Sequence, residues 1–298
     1  MKPVHRAGVP ASSTEGLYSL QTPGKKNTMT TPLLDSNGKL NGESVRYVAI
    51  GDSFTEGVGD VDRRRPNNLR GWADRVAEGL GAVDPQAQYA NLAIRGRLLG
   101  PILDEQLPRA LDLCPNIVTF YGGGNDIMRP NVDIDQLMTR VDEAFAAMRA
   151  QDITILTITG LDVQGQGPFA RTRGRTATYN ELLRGIAEDH GAHIIDYWRW
   201  TDFLDWRLWA DDRLHMNDLG HERFASRVLA QLGLPGVVTE SVLPPEVQLT
   251  AREKVEQEAR WVREFALPWI GRRLKGTSSG DGVTPKYPQW VPAASLKN

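Results

Sequence analysis

The chain has 298 residues, 40% of them hydrophobic, with a formal net charge of −2; that is enough for one large core with appendages. So balanced a charge gives no sign of a nucleic-acid partner or of a strongly charged one. Cys114 is the one cysteine, which excludes an intramolecular disulfide, and its place behind Leu111 and Leu113 just ahead of a strand predicts a buried, inert thiol.

Residues 1–43 are rich in Ser, Thr, Gly, Pro and Asn without periodicity and are expected to form a disordered leader, with Met29 as an alternative start. No apolar run of signal-peptide length follows Met1, and no stretch approaches the roughly 20 apolar residues that span a bilayer. The expectation is a cytoplasmic chain with no integral membrane segment. From Val45 the pattern alternates short apolar runs with helical periodicity. Strands are predicted over 46–50, about 88–93, 117–121, 153–159 and 193–196. Between them fall helices near 69–80, with Trp72, Val76 and Leu80 on one face, and near 135–150, with Leu137, Val141, Phe145 and Met148 on one face. Two more are predicted near 177–190 and 217–231. This alternation predicts an α/β domain over 44–233, a three-layer α/β/α doubly wound sheet of about five parallel strands. Sites in such sheets form outside the carboxyl ends of the strands.

The character changes over 234–298: a Pro/Val/Leu linker, a charged helix over about 246–273, then a Gly/Ser/Pro-rich end expected to be irregular. The helix carries Val255, Val262, Ala266 and Trp269 in one stripe, with Trp261 and Phe265 beside it, and is expected to dock that stripe on the domain. A homo-oligomer through this helix, or contact with a membrane surface through Arg272, Arg273 and Lys275, is the alternative.

Three short words stand in order at predicted strand ends: Gly51-Asp52-Ser53, Gly123-Gly124-Asn125-Asp126 and Asp212-Arg213-Leu214-His215. They supply a hydroxyl, an amide donor, and an imidazole with a carboxylate three residues ahead of it. Those are the parts needed to attack an ester carbonyl, hold an oxyanion and move a proton. Five histidines compete for the base. His5 lies in the leader, His190 and His193 flank a helix end and a strand start, and His221 reads as an early helix residue with a structural hydrogen bond. His215 alone has an acid three residues earlier in a turn-like stretch; Asp212 is that acid, with Asp211 the alternative one residue out of register. Asp52 and Asp126 read as braces of their loops.

The residues around Ser53 do not spell Gly-x-Ser-x-Gly, which argues against the α/β-hydrolase elbow. Over about residues 45–232 the chain instead resembles the SGNH (GDSL) hydrolase superfamily of esterases and lipases. Gly51-Asp52-Ser53-Phe54-Thr55-Glu56-Gly57 matches its first block, Asn91-Leu92-Ala93-Ile94-Arg95-Gly96 its second, Gly122-Gly123-Gly124-Asn125-Asp126 its third and Asp212-Arg213-Leu214-His215 its fifth. Ala93 stands where many members have glycine. The resemblance implies a flavodoxin-like three-layer fold, Ser53, His215 and Asp212 as a triad, and an oxyanion hole from the N–H of Ser53, the N–H of Gly96 and the amide of Asn125. It implies ester hydrolysis; the substrate expected here is a small-molecule ester with a small or medium acyl group. An acyltransferase using the same acyl-enzyme and a non-catalytic ester- or glycan-binding module are the competing readings.

No His/Cys cluster has metal-ligand spacing and no glycine-rich phosphate loop is present, so neither a metal nor another cofactor is expected. Arg171, Arg173 and Trp209 are the candidate substrate-binding residues. The arginines sit in a glycine-rich loop over 164–175 that could cover the site, and Trp209 belongs to a tryptophan-rich run suited to sugar rings. A solvated loop and core packing are the plainer readings of the same side chains.

Overall fold

Five strands follow the apolar runs of the sequence: β1 (Arg46–Gly51), β2 (Gln88–Asn91), β3 (Ile117–Tyr121), β4 (Thr154–Ile158) and β5 (His193–Ile195). A sixth, β6 (Tyr287–Pro292), lies near the C-terminus. The computed structural model describes residues 32–165, 167, 169–274 and 277–297; the leader expected over 1–43 thus falls outside the described residues as far as residue 31. The strands form one sheet in the order β5-β4-β3-β1-β2-β6. β1 to β5 run parallel, and Val48 of β1 sits opposite both Ala90 of β2 and Val118 of β3. β6 pairs antiparallel with β2, so the sheet is mixed, where an all-parallel one was expected.

The helices are α1 (Ser53–Glu56), α2 (Gly71–Val83), α3 (Leu99–Pro101), α4 (Leu107–Asp112), α5 (Gly124–Ile127), α6 (Ile134–Arg149), α7 (Arg173–Asp189), α8 (Asp218–Leu232), α9 (Ala251–Trp261) and α10 (Leu267–Leu274). Successive side chains of a strand point to opposite faces. Tyr47 and Ala49 therefore enter one core cluster, with Trp72 and Leu80 of α2 and Phe224 and Val228 of α8. Val48 and Ile50 enter the other, with Leu107 of α4, Val141 and Phe145 of α6, and Leu183 of α7. Strands covered on both faces favour apolar and β-branched residues on either side, which is why they read as near-continuous runs; the buried exceptions include Asn91, Thr119 and Thr157. Residues 99–112, which show no clean period, form one helical stretch whose turn widens over 102–106, between Pro101 and Pro108; it buries Leu99, Ile102, Leu103, Leu107 and Ala110.

The two ends of the described chain differ most from expectation. Within 32–43, Leu34 and Leu40 are buried in the first core cluster, and the Leu34 N–H donates to the Leu232 carbonyl, 2.8 Å. Three leucines, two of them adjacent, set among turn formers give no periodic signal. The tail expected to be irregular holds β6, and residues 293–297 pack along α2, with the Ala293 N–H on the Ala87 carbonyl at 2.9 Å. β6 contains Pro288 and Pro292, which remove ladder donors and are tolerated because it is an edge strand. Just ahead of it, Lys286 is fully buried, with Nζ 2.8 Å from Asp74 Oδ1 and donating to the carbonyls of Leu69 and Arg70. Breaking such a buried pair by removing one partner typically costs about 3–5 kcal/mol. Cys114 is exposed: its φ of +50° places it in a left-handed turn between α4 and β3, on the surface and outside both core clusters. Among the described residues no helix is long and apolar enough to cross a membrane.

His221, at the start of α8, is buried and structural. Its Nδ1 accepts from the Trp72 N–H at 3.1 Å, so Nε2–H is left to donate to the Val58 carbonyl, also 3.1 Å. Burial, which disfavours the cation, pushes its pKa down to about 4. The unfolded chain then takes up this proton at a higher pH than the native one. Stability should fall as pH drops from about 6.5 towards 4, this ring contributing about 3 kcal/mol of the loss. Urea unfolding at intervals between pH 7 and 4.5 should show that slope flattened in His221→Gln; an unchanged slope would mean the ring is not held neutral.

Candidate active site

The strand order read from β2 is 2-1-3-4-5, with its switch point between β1 and β3, where a crevice opens at the carboxyl ends. Ser53 follows β1 there, and Asn125 follows β3. Asp52 caps α1, its carboxylate accepting from the Phe54 N–H at 3.0 Å. Phe54 anchors the turn by packing against Trp72, Tyr121, Tyr197 and Phe224. Ser53 is thus the first residue of a helix, with its N–H free of any intrahelical partner. Behind it, the Gln106 side chain brackets Gly51, accepting from its N–H at 2.8 Å and donating to its carbonyl at 2.9 Å.

The third word lies in the loop before α8. Ser53 Oγ is 2.9 Å from His215 Nε2, and His215 Nδ1 is 2.6 Å from Asp212 Oδ2. The other Asp212 oxygen accepts the backbone N–H groups of Leu214 (2.9 Å) and His215 (3.0 Å). With Nδ1 donating to the carboxylate, Nε2 is the free acceptor for the serine proton. Burial works to raise the Asp212 carboxyl, but the hydrogen bond and charge of His215, with the two backbone N–H groups, outweigh it and hold the group below the ordinary carboxylate value. Asp211 is exposed.

Gly96 and Asn125 face the same pocket, of about 610 Å³, as Ser53, Asp212 and His215. Gly96 has φ +74°, and a Cβ there would collide with Ser278 Oγ, so both conformation and space call for glycine. Gly123, the residue before α5, has φ +87°, and a Cβ on it would lie 2.7 Å from the Tyr179 ring. Asn125 Nδ2 donates to Arg97 O at 3.0 Å and to Asp52 Oδ2 at 3.2 Å, which fixes the amide's orientation. Burial pushes the Asp52 carboxyl up to about 6, with the Phe54 N–H and the nearby His215 charge pulling it back part of the way.

Two supports carry no role in the sequence reading. Gln106 is one. Glu56 is the other: fully buried, it accepts the Arg95 N–H at 2.6 Å and the Arg95 guanidinium at 2.6 Å, and so fixes the turn that presents Gly96. Glu56 sits within the first block, only three residues after Ser53.

The arginine loop is placed differently from expectation. α7 begins at Arg173, which pairs with Asp162 at 2.6 Å, and Arg175 donates to the Arg129 carbonyl. Arg171 is exposed, and neither it nor Arg173 lines the pocket. The helix starts earlier than its apolar residues announced, because its first turn is polar and solvent-facing. Trp209 lines an adjoining apolar cavity, with its indole N–H on the Phe203 carbonyl at 2.7 Å. The C-terminal helix supplies the opposite wall through Trp261, Phe265 and Trp269. It is tied to the acid loop by the Trp261 indole N–H on the Asp212 carbonyl, 3.1 Å, and by Glu258 on Arg213, whose guanidinium lies 5.0 Å from the Trp261 ring centre.

The model of the GDSL-like lipase/acylhydrolase family matches residues 49–223. Among solved structures the chain is similar to LAE5, an alpha/beta hydrolase enzyme from the metagenome of Lake Arreo, Spain, at 23% identity and TM-score 0.54, over 64% of this chain and 95% of that one. It is similar to Axe2, an acetylxylan esterase from Geobacillus stearothermophilus, at 19% identity and TM-score 0.55, over 66% of this chain and 97% of that one. TesA aligns at 18% identity and TM-score 0.53, over 63% of this chain and 97% of that one. Among curated proteins, none matches.

Proposed function

We propose that in this chain, which belongs to the GDSL-like lipase/acylhydrolase family and is a carboxylic ester hydrolase, Ser53 attacks the ester carbonyl while His215 moves its proton and Asp212 orients the ring. What supports this reading is one continuous run of hydrogen bonds, Ser53 Oγ to His215 Nε2 and His215 Nδ1 to Asp212, opening onto a pocket that Gly96 and Asn125 also face. Ser53 Oγ bonds to the carbonyl carbon as its proton passes to Nε2. The oxyanion that forms is held by the N–H groups of Ser53 and Gly96 and by the Asn125 amide. Collapse expels the alcohol, which takes the proton from His215, and leaves the acyl group on Ser53. Water then repeats the sequence and releases the acid. The catalytic mutants of Axe2 that replace a serine or a histidine by alanine fit the same division of roles. A fluorophosphonate should label Ser53 stoichiometrically; labelling elsewhere would overturn the reading.

The Asn125 amide hydrogens already have acceptors, and a developing oxyanion takes over the longer bond, the one to Asp52. A fixed donor that gains strength only as charge develops lowers the barrier more than it tightens substrate binding. Asn125→Ala should therefore lower kcat about 10²–10³-fold, about 2.7–4 kcal/mol, with a smaller change in KM. Steady-state kinetics on a p-nitrophenyl ester would check this; a raised KM at constant kcat would make Asn125 a substrate-binding residue instead.

A further inference from the structure

Beside the catalytic pocket lies a second cavity of about 150 Å³, lined by Leu161, Phe203, Leu204, Trp206 and Trp209 among others. Phe169 and Leu214 line both spaces, and Leu214 is the residue immediately before His215. The two spaces therefore share a wall one residue from His215, and their chemistry differs. Around the smaller one the described side chains are aliphatic and aromatic except Arg213, whose terminal nitrogens are both committed to Glu258 at 2.9 and 2.7 Å. The indole N–H of Trp209 is likewise committed, to the Phe203 carbonyl. A hydroxyl-bearing group entering this cavity would lose its hydrogen bonds to water and find few replacements. The larger pocket carries Arg129, Glu264, Ser278 and Ser279 beside its aromatic residues, and so suits a polar group.

We propose that the smaller cavity receives the acyl chain of the substrate, making the enzyme selective for straight-chain acyl groups of about six carbons; this rests on the esterase reading above. An apolar space of this volume accepts a molecule the size of benzene, which sets the carbon count. The acyl group stays bound through both chemical steps, whereas the alcohol must leave and water must enter. The wide, half-polar pocket provides that exchange, and the smaller apolar cleft holds the part that stays. Trp209 acts here as a wall for an alkyl chain, and no platform for a sugar ring is formed by it.

The test is hydrolysis by the full chain of p-nitrophenyl acetate, butyrate, hexanoate, octanoate and decanoate, alongside a series of alkyl acetates in which only the alcohol lengthens. From acetate to hexanoate kcat/KM should rise about fourfold per methylene, the value of burying one such group, and should stop rising beyond hexanoate. Leu204→Trp, which fills the cavity, should lower the hexanoate-to-acetate ratio of kcat/KM at least about tenfold. Trp206→Ala, which opens the exposed end, should move the optimum to a longer chain. Reading a ratio within each variant makes the result independent of how much protein is folded. A flat acyl series, a ratio that neither variant moves, or a length dependence on the alcohol side instead would overturn the proposal and leave ester hydrolysis standing. Failure to turn over any ester would overturn the esterase reading beneath it.

Discussion

Ser53→Ala should fold as the wild type does and lose about 10⁴–10⁶ in kcat on any ester. In the proposed mechanism the Ser53 oxygen is the atom that becomes covalently bound, and no neighbouring group replaces it. The substitution removes one oxygen from a half-buried side chain whose hydrogen bond is to His215, so the cost to stability should be within about 1 kcal/mol. The residual rate is set by the oxyanion donors and substrate binding, which remain. Far-UV circular dichroism and the unfolding midpoint check the first half of the statement, and steady-state kinetics the second. A variant that is well folded and fully active would remove Ser53 from the chemistry.

His215→Ala should lose nearly as much, because a serine without a base remains a poor nucleophile and an alkoxide leaving group without an acid remains a poor one; the two substitutions act on one unit and should not add. The double variant Ser53→Ala/His215→Ala should be no slower than the worse of the two singles. Asp212→Asn should lose about 10⁴. An asparagine can offer its NH₂ to Nδ1, which favours the tautomer with the proton on Nε2 and removes the acceptor Ser53 needs. Asp212 also holds its own loop, through the Leu214 and His215 N–H groups, so the unfolding midpoint must be measured beside the rate. Asp211→Asn, an exposed position, is the control. A larger loss there than at Asp212 would move the acid by one residue.

Much of this architecture was legible because its signals are local. Residues Ile117 to Tyr121 and Thr154 to Ile158 read as buried strands because both faces of the sheet are covered. Trp72, Val76 and Leu80 read as one helical face because they pack on one cluster. Asp212 and His215 read as a pair because three residues of turn are enough to bring a carboxylate to an imidazole. The chain loses legibility where a segment is held by partners far away. Leu33 and Leu34 are adjacent and Leu40 stands six residues on, too few to set a period, yet Leu34 and Leu40 fill the core beside α8. β6 carries two prolines that argue against a strand, and edge pairing with β2 overrides them. Nothing around Lys286 announces that its ammonium is buried against Asp74, 212 residues away.

The sequence by itself determined the alternation of strands and helices, and with it the doubly wound class and the strand ends at which reactive side chains gather. It also singled out Ser53, Asn125, Asp212 and His215, which line one pocket in the structure. Only the tertiary structure decided that Ser53 and His215, 162 residues apart, stand 2.9 Å from each other. That distance is set by β1 lying next to β3 and by α8 packing on α2, pairings made by interlocking buried side chains that no local period encodes. It decided, too, that the C-terminal helix walls the pocket and that the arginines of the loop before α7 do not reach it, because such placements turn on individual ion pairs such as Arg213 with Glu258 and Arg173 with Asp162. Hydrophobic periodicity reports which face of an element is buried; which element covers it is settled only when all the faces compete for one core.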